Sequence, residues 1–386
     1  MTGNKKNKTN KSLRIMLILL GVFLIITAGA MLVSNMMNSG QDNWVKSQNE
    51  KIAAENQKLE EDYALLKSEY QKNVMEEENK SWPVPAQEGW DIVNLSGYPL
   101  ENPQTMTVSR AELLKSGLML INPWHPLPGD YETLTMDSLV SIGSTSQGKI
   151  AVQDYNLKLF PVAVDALSAV INDAAQEGLG DYIIREAFRS NAEQSIIFEK
   201  YRTELSNKYS GDILIDETKK KVNYPGTSEY QSGLSFQVFL YNSKDPSIAK
   251  QAFQETKQGK FFTENSWKYG FVFRFPTEDF PDSSWMDKSF LTGVSIKLNT
   301  YRYVGIPSAT VMHLKNFVLE EYIDYLISNP HIAVYNNGIL MYEIYRTEAS
   351  PEGLATGVET IEVPASASNV VSSYDNMGGI ITVITH

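Results

Sequence analysis

The sequence predicts an α+β domain with an antiparallel sheet, preceded by a transmembrane helix and a helical stalk and followed by a small C-terminal β appendage. Three observations predict this arrangement. Beyond about residue 100, hydrophobic residues switch between helical and alternating spacing, which is typical of mixed helices and strands. A charge-free apolar stretch and a charged segment without glycine or proline precede that region. Short apolar runs separated by glycines follow it.

Composition limits the class of protein. The chain has 386 residues, of which 42% are hydrophobic and 21% charged, as in ordinary globular proteins. The net charge of -12 argues against nucleic acid as a partner. There are no cysteines, so stability must come from the hydrophobic core and not from disulfides.

The N-terminus has the pattern of a signal anchor. Residues 1–14 form a basic tail without acids, and the nineteen residues 15–33 carry no charge. This length is close to that of a membrane-spanning helix, and the flanking cations place the N-terminus in the cytoplasm. We therefore expect a single-pass anchor at 15–37 and an extracytoplasmic domain. A cleaved signal peptide is the alternative, because Ala28, Gly29 and Ala30 form a small-residue pattern.

Residues 38–80 are expected to form a helical stalk. The part from 41 to 80 has ten acids, six bases and no glycine or proline, and Ile52, Leu59 and Leu66 recur every seven positions. The partner positions of this heptad are acidic, which favours a solvated single helix over a coiled coil. A weak dimer through the stalk is the alternative.

A proline-containing segment separates the stalk from the domain. Residues 81–114 begin with Ser-Trp-Pro-Val-Pro, which cannot continue a helix, and are expected to form a linker. The domain is expected at 115–328 and the β appendage at 329–386. Within the domain, periodicity predicts a helix ending at Gly178, helices at 192–209 and 308–327, and strands at 182–184, 234–241 and 271–275.

Four segments of the domain carry motifs in a characteristic order. They read LINPWHPLPGDY at 120–131, EAFRSNAEQ at 186–194, GTSEYQSGLSFQ at 226–237, and WKYGFVFRFP at 267–276 with its sequel YRYVGIP at 301–307. Together they resemble the peptidoglycan zinc D-alanyl-D-alanine carboxypeptidases of the vancomycin-resistance type, over roughly residues 115–327. The resemblance implies a small antiparallel sheet flanked by helices.

That family holds zinc with a His and an Asp of a Ser-x-His-x-x-Gly-x-x-x-Asp motif and with a second His, and a Glu acts as the base. The resemblance puts Tyr230 at the first His and Gln237 at the Asp. Counting back from Arg302 puts Thr300 at the second His and Lys297 at the Glu. A phenol, an amide, a hydroxyl and an ammonium lack the charge or basicity that zinc requires. The resemblance therefore implies a degenerate metal site, with no metal and no catalytic residues.

Other positions of the family pattern are retained. Arg189 and Gln194 match the Arg and Gln of the family's Tyr-Arg-Ser-x-x-x-Gln motif, and Ser228 matches the Ser that contacts the terminal carboxylate of the family's substrate. The resemblance makes all three candidate ligand-binding residues. A guanidinium offers a planar set of donors that suits a carboxylate. Arg189 is equally well interpreted as half of a structural ion pair. We further expect Tyr230 to fill the space of the lost metal and Lys297 to replace its positive charge.

The four histidines do not suggest a second metal site. His125, His313, His331 and His386 show no ligand spacing such as i, i+4, and they are interpreted as separate solvated or hydrogen-bonded side chains.

The sequence favours a pseudoenzyme in the cell membrane. We expect it to bind peptidoglycan stem peptides, or a cell-wall enzyme, without cutting. One alternative is an active D,D-carboxypeptidase that uses a displaced ligand set. Another is a structural scaffold of the cell envelope whose stalk and β appendage carry the interactions.

Overall fold

A computed structural model of the chain describes residues 50–62, 64–65, 88–100 and 102–386. The predicted basic tail at 1–14, the predicted anchor at 15–37 and most of the predicted stalk lie outside these residues. Among the described helices, none combines the length and the apolar composition that spanning a membrane requires. The chain divides into two compact units, Met1–Ser81 and Trp82–His386.

The described part of the first unit is a helix. Residues 50–62 and 64–65 are helical, with Ile52 and Leu59 half-buried. Gln57 donates from Nε2 to Glu61 Oε1 at 3.1 Å, an i, i+4 pair that stabilises an exposed helix. The dimer through the stalk stays a prediction.

The second unit alternates strands and helices. In chain order, its strands are β1 (Trp90–Asn94), β2 (Pro103–Ser109), β3 (Val140–Ser141), β4 (Ala151–Val152), β5 (Lys158–Leu159), β6 (Tyr182–Glu186), β7 (Ser235–Leu240), β8 (Phe271–Phe273), β9 (Thr300–Tyr303), β10 (His331–Asn336), β11 (Ile339–Glu348), β12 (Val358–Pro364), β13 (Asn369–Tyr374) and β14 (Gly379–Thr385). Its α-helices are α1 (Arg110–Lys115), α2 (Tyr131–Thr135), α3 (Ile142–Thr145), α4 (Pro161–Gln176), α5 (Asn191–Leu205), α6 (Gly211–Lys219), α7 (Lys257–Asn265), α8 (Ser289–Thr292), α9 (Ile306–Lys315), α10 (Leu319–Ser328) and α11 (Pro351–Thr356).

A five-stranded sheet in the order β4-β6-β7-β9-β8 contains parts of the second, third and fourth motif segments. Its strands are antiparallel except for β4 and β6, which pair in parallel. One face packs against α4, because Phe236 and Val238 share a buried cluster with Val164 and Leu167. Side chains alternate between the faces of a strand, so Gln237 points away from this core and is half-buried. The predicted α+β class with antiparallel pairing is confirmed.

A second antiparallel sheet has the order β1-β10-β11-β14-β13. It shares a core with α9 and α10, in which Ile332 and Ile381 lie with Val311 and Tyr322. The sequence suggested a separate appendage, whereas this core joins the C-terminal strands to helices of the motif region. The expected linker also contributes, since residues 90–94 form β1 and pair with β10. Strand pairing across more than two hundred residues leaves no local signal in the sequence.

The helix predicted at 308–327 is two helices. The first, α9, ends at Lys315, and Asn316 follows in the left-handed region with a φ of 53°. Asparagine tolerates this conformation and commonly ends a helix there. Leu314, near the end of α9, is 39% exposed.

Candidate ligand site at the degenerate metal positions

The segment with Ser228 and Tyr230 forms a tight turn before β7. Residues Glu229–Ser232 make a 3-10 turn, and Gly233 follows with a φ of 67°. A Cβ at Gly233 would lie 2.8 Å from a side-chain atom of Leu139 and 2.9 Å from one of Phe160. Both the backbone and the packing therefore require glycine here. The turn brings Tyr230 to the sheet, where it is buried.

Three of the four positions that the family resemblance assigns to the zinc site meet in space. The Tyr230 hydroxyl lies 2.8 Å from Thr300 Oγ1 and accepts a hydrogen bond of 2.5 Å from Gln237 Nε2. Gln237 and Thr300 are direct partners in the pairing of β7 with β9. Residues opposite each other on neighbouring strands share a face of the sheet, which explains why both side chains reach the same phenol.

These three side chains form a neutral cluster. Burial raises the pKa of the Tyr230 phenol to about 12, against the lowering effect of its hydrogen bonds with Thr300 and Gln237. The phenol therefore keeps its proton at physiological pH. Zinc does not fit this donor set, because an amide, a hydroxyl and a protonated phenol supply no anionic or imidazole ligand. Within the described residues, no group of three or more His, Cys, Asp or Glu side chains could hold a metal ion.

Arg189 lies directly on this cluster. Its guanidinium carbon is 4.6 Å from the centre of the Tyr230 ring, and its backbone N–H donates to the Tyr230 carbonyl at 3.1 Å. Arg189 also donates from Nη2 to Glu186 Oε2 at 2.6 Å and from Nη1 to Gln194 Oε1 at 3.3 Å. The structural ion pair that one interpretation of Arg189 predicted is therefore present, and it lies at the edge of the candidate site. Sequence reasoning missed Glu186.

Gln194 and Ser228, the other two candidate ligand-binding residues, differ in their hydrogen bonds. Gln194 is fully buried and donates from Nε2 to the Asn223 carbonyl at 2.8 Å, so it fixes the loop before the turn. Ser228 is buried, and no hydrogen bond within the described part of the chain involves its hydroxyl. The hydroxyl can therefore still donate to a ligand.

Lys297 does not take part in this cluster. Its side chain is exposed, and its ammonium lies 5.5 Å from the centre of the Phe280 ring. No described hydrogen bond or ion pair joins it to Tyr230 or Gln237. The expectation that Lys297 replaces the charge of the metal is wrong, since Lys297 precedes β9 and strand pairing does not direct it to the site. The cation that stacks on Tyr230 is Arg189.

A buried charge network lies behind the site, and sequence reasoning missed it. Glu229 bonds Arg274 Nε through Oε2 at 2.8 Å and Arg302 Nη1 through Oε1. Arg274 also donates from Nη2 to Glu320 Oε1 at 2.8 Å. Burial alone would raise the pKa of Glu229, but Arg302, Arg274 and the hydroxyl of Ser235 hold it below its usual value. The sequence offered one signal for this network, namely the charged residues within motif segments that are buried.

Each of the four histidines contacts another side chain. His125 Nδ1 lies 2.8 Å from Asn122 Oδ1, and His313 stacks on Trp267 with ring centres 4.4 Å apart. His331 and His386, far apart in sequence, both reach the carboxylate of Glu343. Hydrogen bonding was predicted, but the prediction of separate histidines is wrong for His331 and His386, which meet at Glu343.

Comparisons with known proteins agree with the motifs. A family model described as VanY, D-alanyl-D-alanine carboxypeptidase, matches residues 156–286. A D-alanyl-D-alanine carboxypeptidase of Enterococcus faecium is 30% identical over 283 residues, which are 73% of this chain and 80% of that protein. The bifunctional D-Ala-D-Ala dipeptidase and D-Ala-D-Ala carboxypeptidase VanXYC of Enterococcus gallinarum is 32% identical over 135 residues, which are 34% of this chain and 66% of that protein.

The solved structures include the vancomycin-resistance D,D-dipeptidase VanXYg in complex with a D-Ala-D-Ala phosphinate analogue. It matches with a TM-score of 0.51 and 22% identity, over 74% of this chain and 99% of that one, and the likeness is one of fold. The resemblance predicted from the four motifs is confirmed, and the chain belongs to the VanY-type D-alanyl-D-alanine carboxypeptidase family.

Proposed function

We propose that this protein is a membrane-anchored, extracytoplasmic pseudoenzyme of its family, which binds peptidoglycan stem peptides, or a cell-wall enzyme, without zinc and without hydrolysis. One observation carries the proposal. The Tyr230 hydroxyl bonds to both Gln237 and Thr300, at positions where the family pattern needs an imidazole, a carboxylate and a second imidazole. Because this donor set does not suit zinc, it offers no bound metal ion that would acidify water or polarise a carbonyl for peptide cleavage.

The binding chemistry rests on two groups beside Tyr230. Arg189 presents a guanidinium at the rim of the site, with 18% of its side chain exposed. Ser228 offers a hydroxyl that makes no hydrogen bond to any described residue. A peptide that ends in a free carboxylate would bond to both, and charge-assisted bonds of this kind are stronger than neutral ones.

Three measurements on the full-length protein test this proposal. Elemental analysis should find zinc well below one equivalent, and a D-alanine assay should find no release from a peptide ending in D-Ala-D-Ala. Calorimetry should detect weak binding of that peptide. Arg189→Ala should weaken binding roughly tenfold to a hundredfold, since a charge-assisted bond contributes about 1.5 to 3 kcal/mol. Arg202→Ala, in an exposed pair with Glu199, is the matched control.

Each contrary result identifies an alternative. Stoichiometric zinc with turnover of the peptide would indicate an active D,D-carboxypeptidase. Absence of peptide binding would indicate a scaffold in which the face around Tyr230 has no ligand.

The anchor is tested separately. Protease added to intact cells should digest the domain and spare a tag on the basic N-terminal tail, because the cations of residues 1–14 favour the cytoplasm. Protection of a C-terminal tag would reverse the proposed topology.

A further inference from the structure

The position of Glu186 depends on an irregularity in β6. Ile184 pairs with Val238, but Glu186 pairs with Gln237, so one extra residue, Arg185, is inserted in β6. Strict alternation would put Glu186 on the face of Ile184, which is fully buried in the core. A β-bulge re-aims the residues that follow it, and here it turns Glu186 to the opposite face.

Glu186 therefore continues the row of residues at the candidate site. Gln237 pairs with Glu186 on one side and with Thr300 on the other, and directly opposed residues share a face. Three neighbouring strands thus contribute a carboxylate, an amide and a hydroxyl to one line. The carboxylate is the one ionised group among them.

Arg189 already holds that carboxylate. Its Nε and Nη2 both donate to Glu186 Oε2, at 3.1 and 2.6 Å, and its Nη1 donates to Gln194. A guanidinium has five N–H donors, so the remaining donors are on Nη1 and Nη2. A ligand carboxylate must either displace Glu186 or bind beside it and meet a like charge. Both routes lower the affinity for an anion.

The exposure of the two side chains favours displacement. The Glu186 side chain is 39% exposed and the Arg189 side chain 18%. Glu186 can turn into water with little desolvation of other groups, whereas stacking on Tyr230 holds Arg189 in place. An exposed ion pair is also weak enough to exchange one carboxylate for another.

We propose that Glu186 acts as an internal competitor for the carboxylate of the ligand and so sets the affinity and the anion selectivity of the site. This inference rests on the proposed binding of peptides with a free C-terminal carboxylate. It adds that the free protein occupies its own anion receptor, and that ligand binding exchanges the Glu186 carboxylate for the carboxylate of the peptide.

Calorimetry with two probes tests the exchange. The probes are an N-acetylated peptide ending in D-Ala-D-Ala and the same peptide with a C-terminal amide. Glu186→Gln in the full-length protein should strengthen binding of the carboxylate peptide roughly threefold to tenfold and leave binding of the amide unchanged. Combining Glu186→Gln with Arg189→Ala should abolish the gain. Glu199→Gln removes the carboxylate of a second i, i+3 pair of similar geometry, with Arg202, and should change neither affinity.

The outcomes separate the two proposals. If the unmodified protein and Glu186→Gln bind the carboxylate peptide equally, binding stands and the role of Glu186 is wrong. A similar gain for the amide peptide would also overturn that role, because removal of a competing charge cannot favour a neutral group. If folded samples of both proteins bind neither probe, the proposed ligand fails and the competition fails with it. Circular dichroism establishes folding in each case.

Discussion

Two adjacent residues of one motif have opposite surroundings. Glu229 is an ionised carboxylate between Arg274 and Arg302 in the interior. Tyr230 is a neutral phenol that bonds to Gln237 and Thr300 on one face of the sheet. The first residue joins chain segments that are far apart in sequence, whereas the second occupies a position that the family uses for chemistry.

The contrast between Glu229 and Tyr230 shows which property of a protein a retained motif indicates. Glu229, Arg274 and Arg302 stand in motif segments and are buried in a network whose charges are paired. We expect the fold to depend on that network, so these residues can persist whatever residues stand at the positions assigned to the metal. The positions assigned to the metal are not part of this charge network. Their side chains form a neutral hydrogen-bonded cluster instead. Similarity of motif order therefore indicates the fold, and the residues at individual positions decide the activity.

The largest expected effect comes from breaking the buried network. Glu229→Ala leaves Arg302 without its carboxylate partner and removes one of two from Arg274, so unfolding should become easier by about 3 to 5 kcal/mol. Glu199→Ala, in the exposed pair with Arg202, should cost less than about 1 kcal/mol. Urea denaturation followed by circular dichroism compares the two. Equal losses would show that Glu229 is no more important to the fold than a surface charge.

The same network predicts a pH dependence. The pKa of Glu229 is below its ordinary value of 4.5 in the folded protein. Its stabilising effect is therefore present above that ordinary value and is lost as pH falls through the lower folded value. The difference in unfolding free energy between the unmodified protein and Glu229→Ala should shrink in acid, below about pH 4. A difference that grows in acid would contradict the assignment of Glu229 as an ionised group.

The next effect concerns restoration of the metal site. Tyr230→His, Gln237→Asp and Thr300→His together should bind zinc in the micromolar range or better, because three ligands would converge where the present side chains touch. Tyr230→His alone should bind none. Elemental analysis and zinc titration measure this once circular dichroism has shown a folded protein. If the triple variant folds but binds no zinc, the three side chains do not converge as ligands.

The position of Lys297 refines that experiment. Its side chain is exposed and contacts Phe280, so zinc uptake by the triple variant should not require Lys297→Glu. Hydrolysis is a stricter demand, since a base must reach the metal-bound water and outer groups must orient the ligands.

A smaller effect is expected from the phenol alone. Tyr230→Phe removes the hydroxyl that Gln237 and Thr300 share and leaves the fully buried Thr300 hydroxyl without this partner. Unfolding should become easier by about 1 to 3 kcal/mol, as for other unsatisfied buried groups. Thermal denaturation measures this loss of stability, with Tyr155→Phe, at an exposed tyrosine, as the control. No loss relative to that control would mean that the cluster does not stabilise the fold.

The smallest effect is expected at Lys297. Lys297→Ala removes an exposed cation–π contact, which should cost no more than about 0.5 to 1 kcal/mol. Binding of a D-Ala-D-Ala peptide should not change, because Arg189 is the cation of the site. If calorimetry shows that Lys297→Ala weakens peptide binding as much as Arg189→Ala does, Lys297 belongs to the site.

The sequence by itself determined the family and the residue types at the positions assigned to the metal. Motif order over residues 115–327 predicted the fold, and the residue types at 230, 237 and 300 excluded good zinc ligands, because donor chemistry belongs to the side chain wherever it lies. Hydrophobic periodicity also located α4 and β7 well. It predicted one helix at 308–327, since periodicity continues across Asn316 and does not report its left-handed backbone.

Tertiary structure alone decided how the site is completed. The bulge at Arg185 brings Glu186 to Arg189, and pairing of β7 with β9 brings Thr300 to Tyr230. The sequence placed a cation at Lys297, yet Arg189 is the one that stacks on the phenol. Local patterns report which face of an element is apolar. Register, bulges and the side-chain directions that follow from them depend on pairing between distant segments, and only the folded chain fixes them.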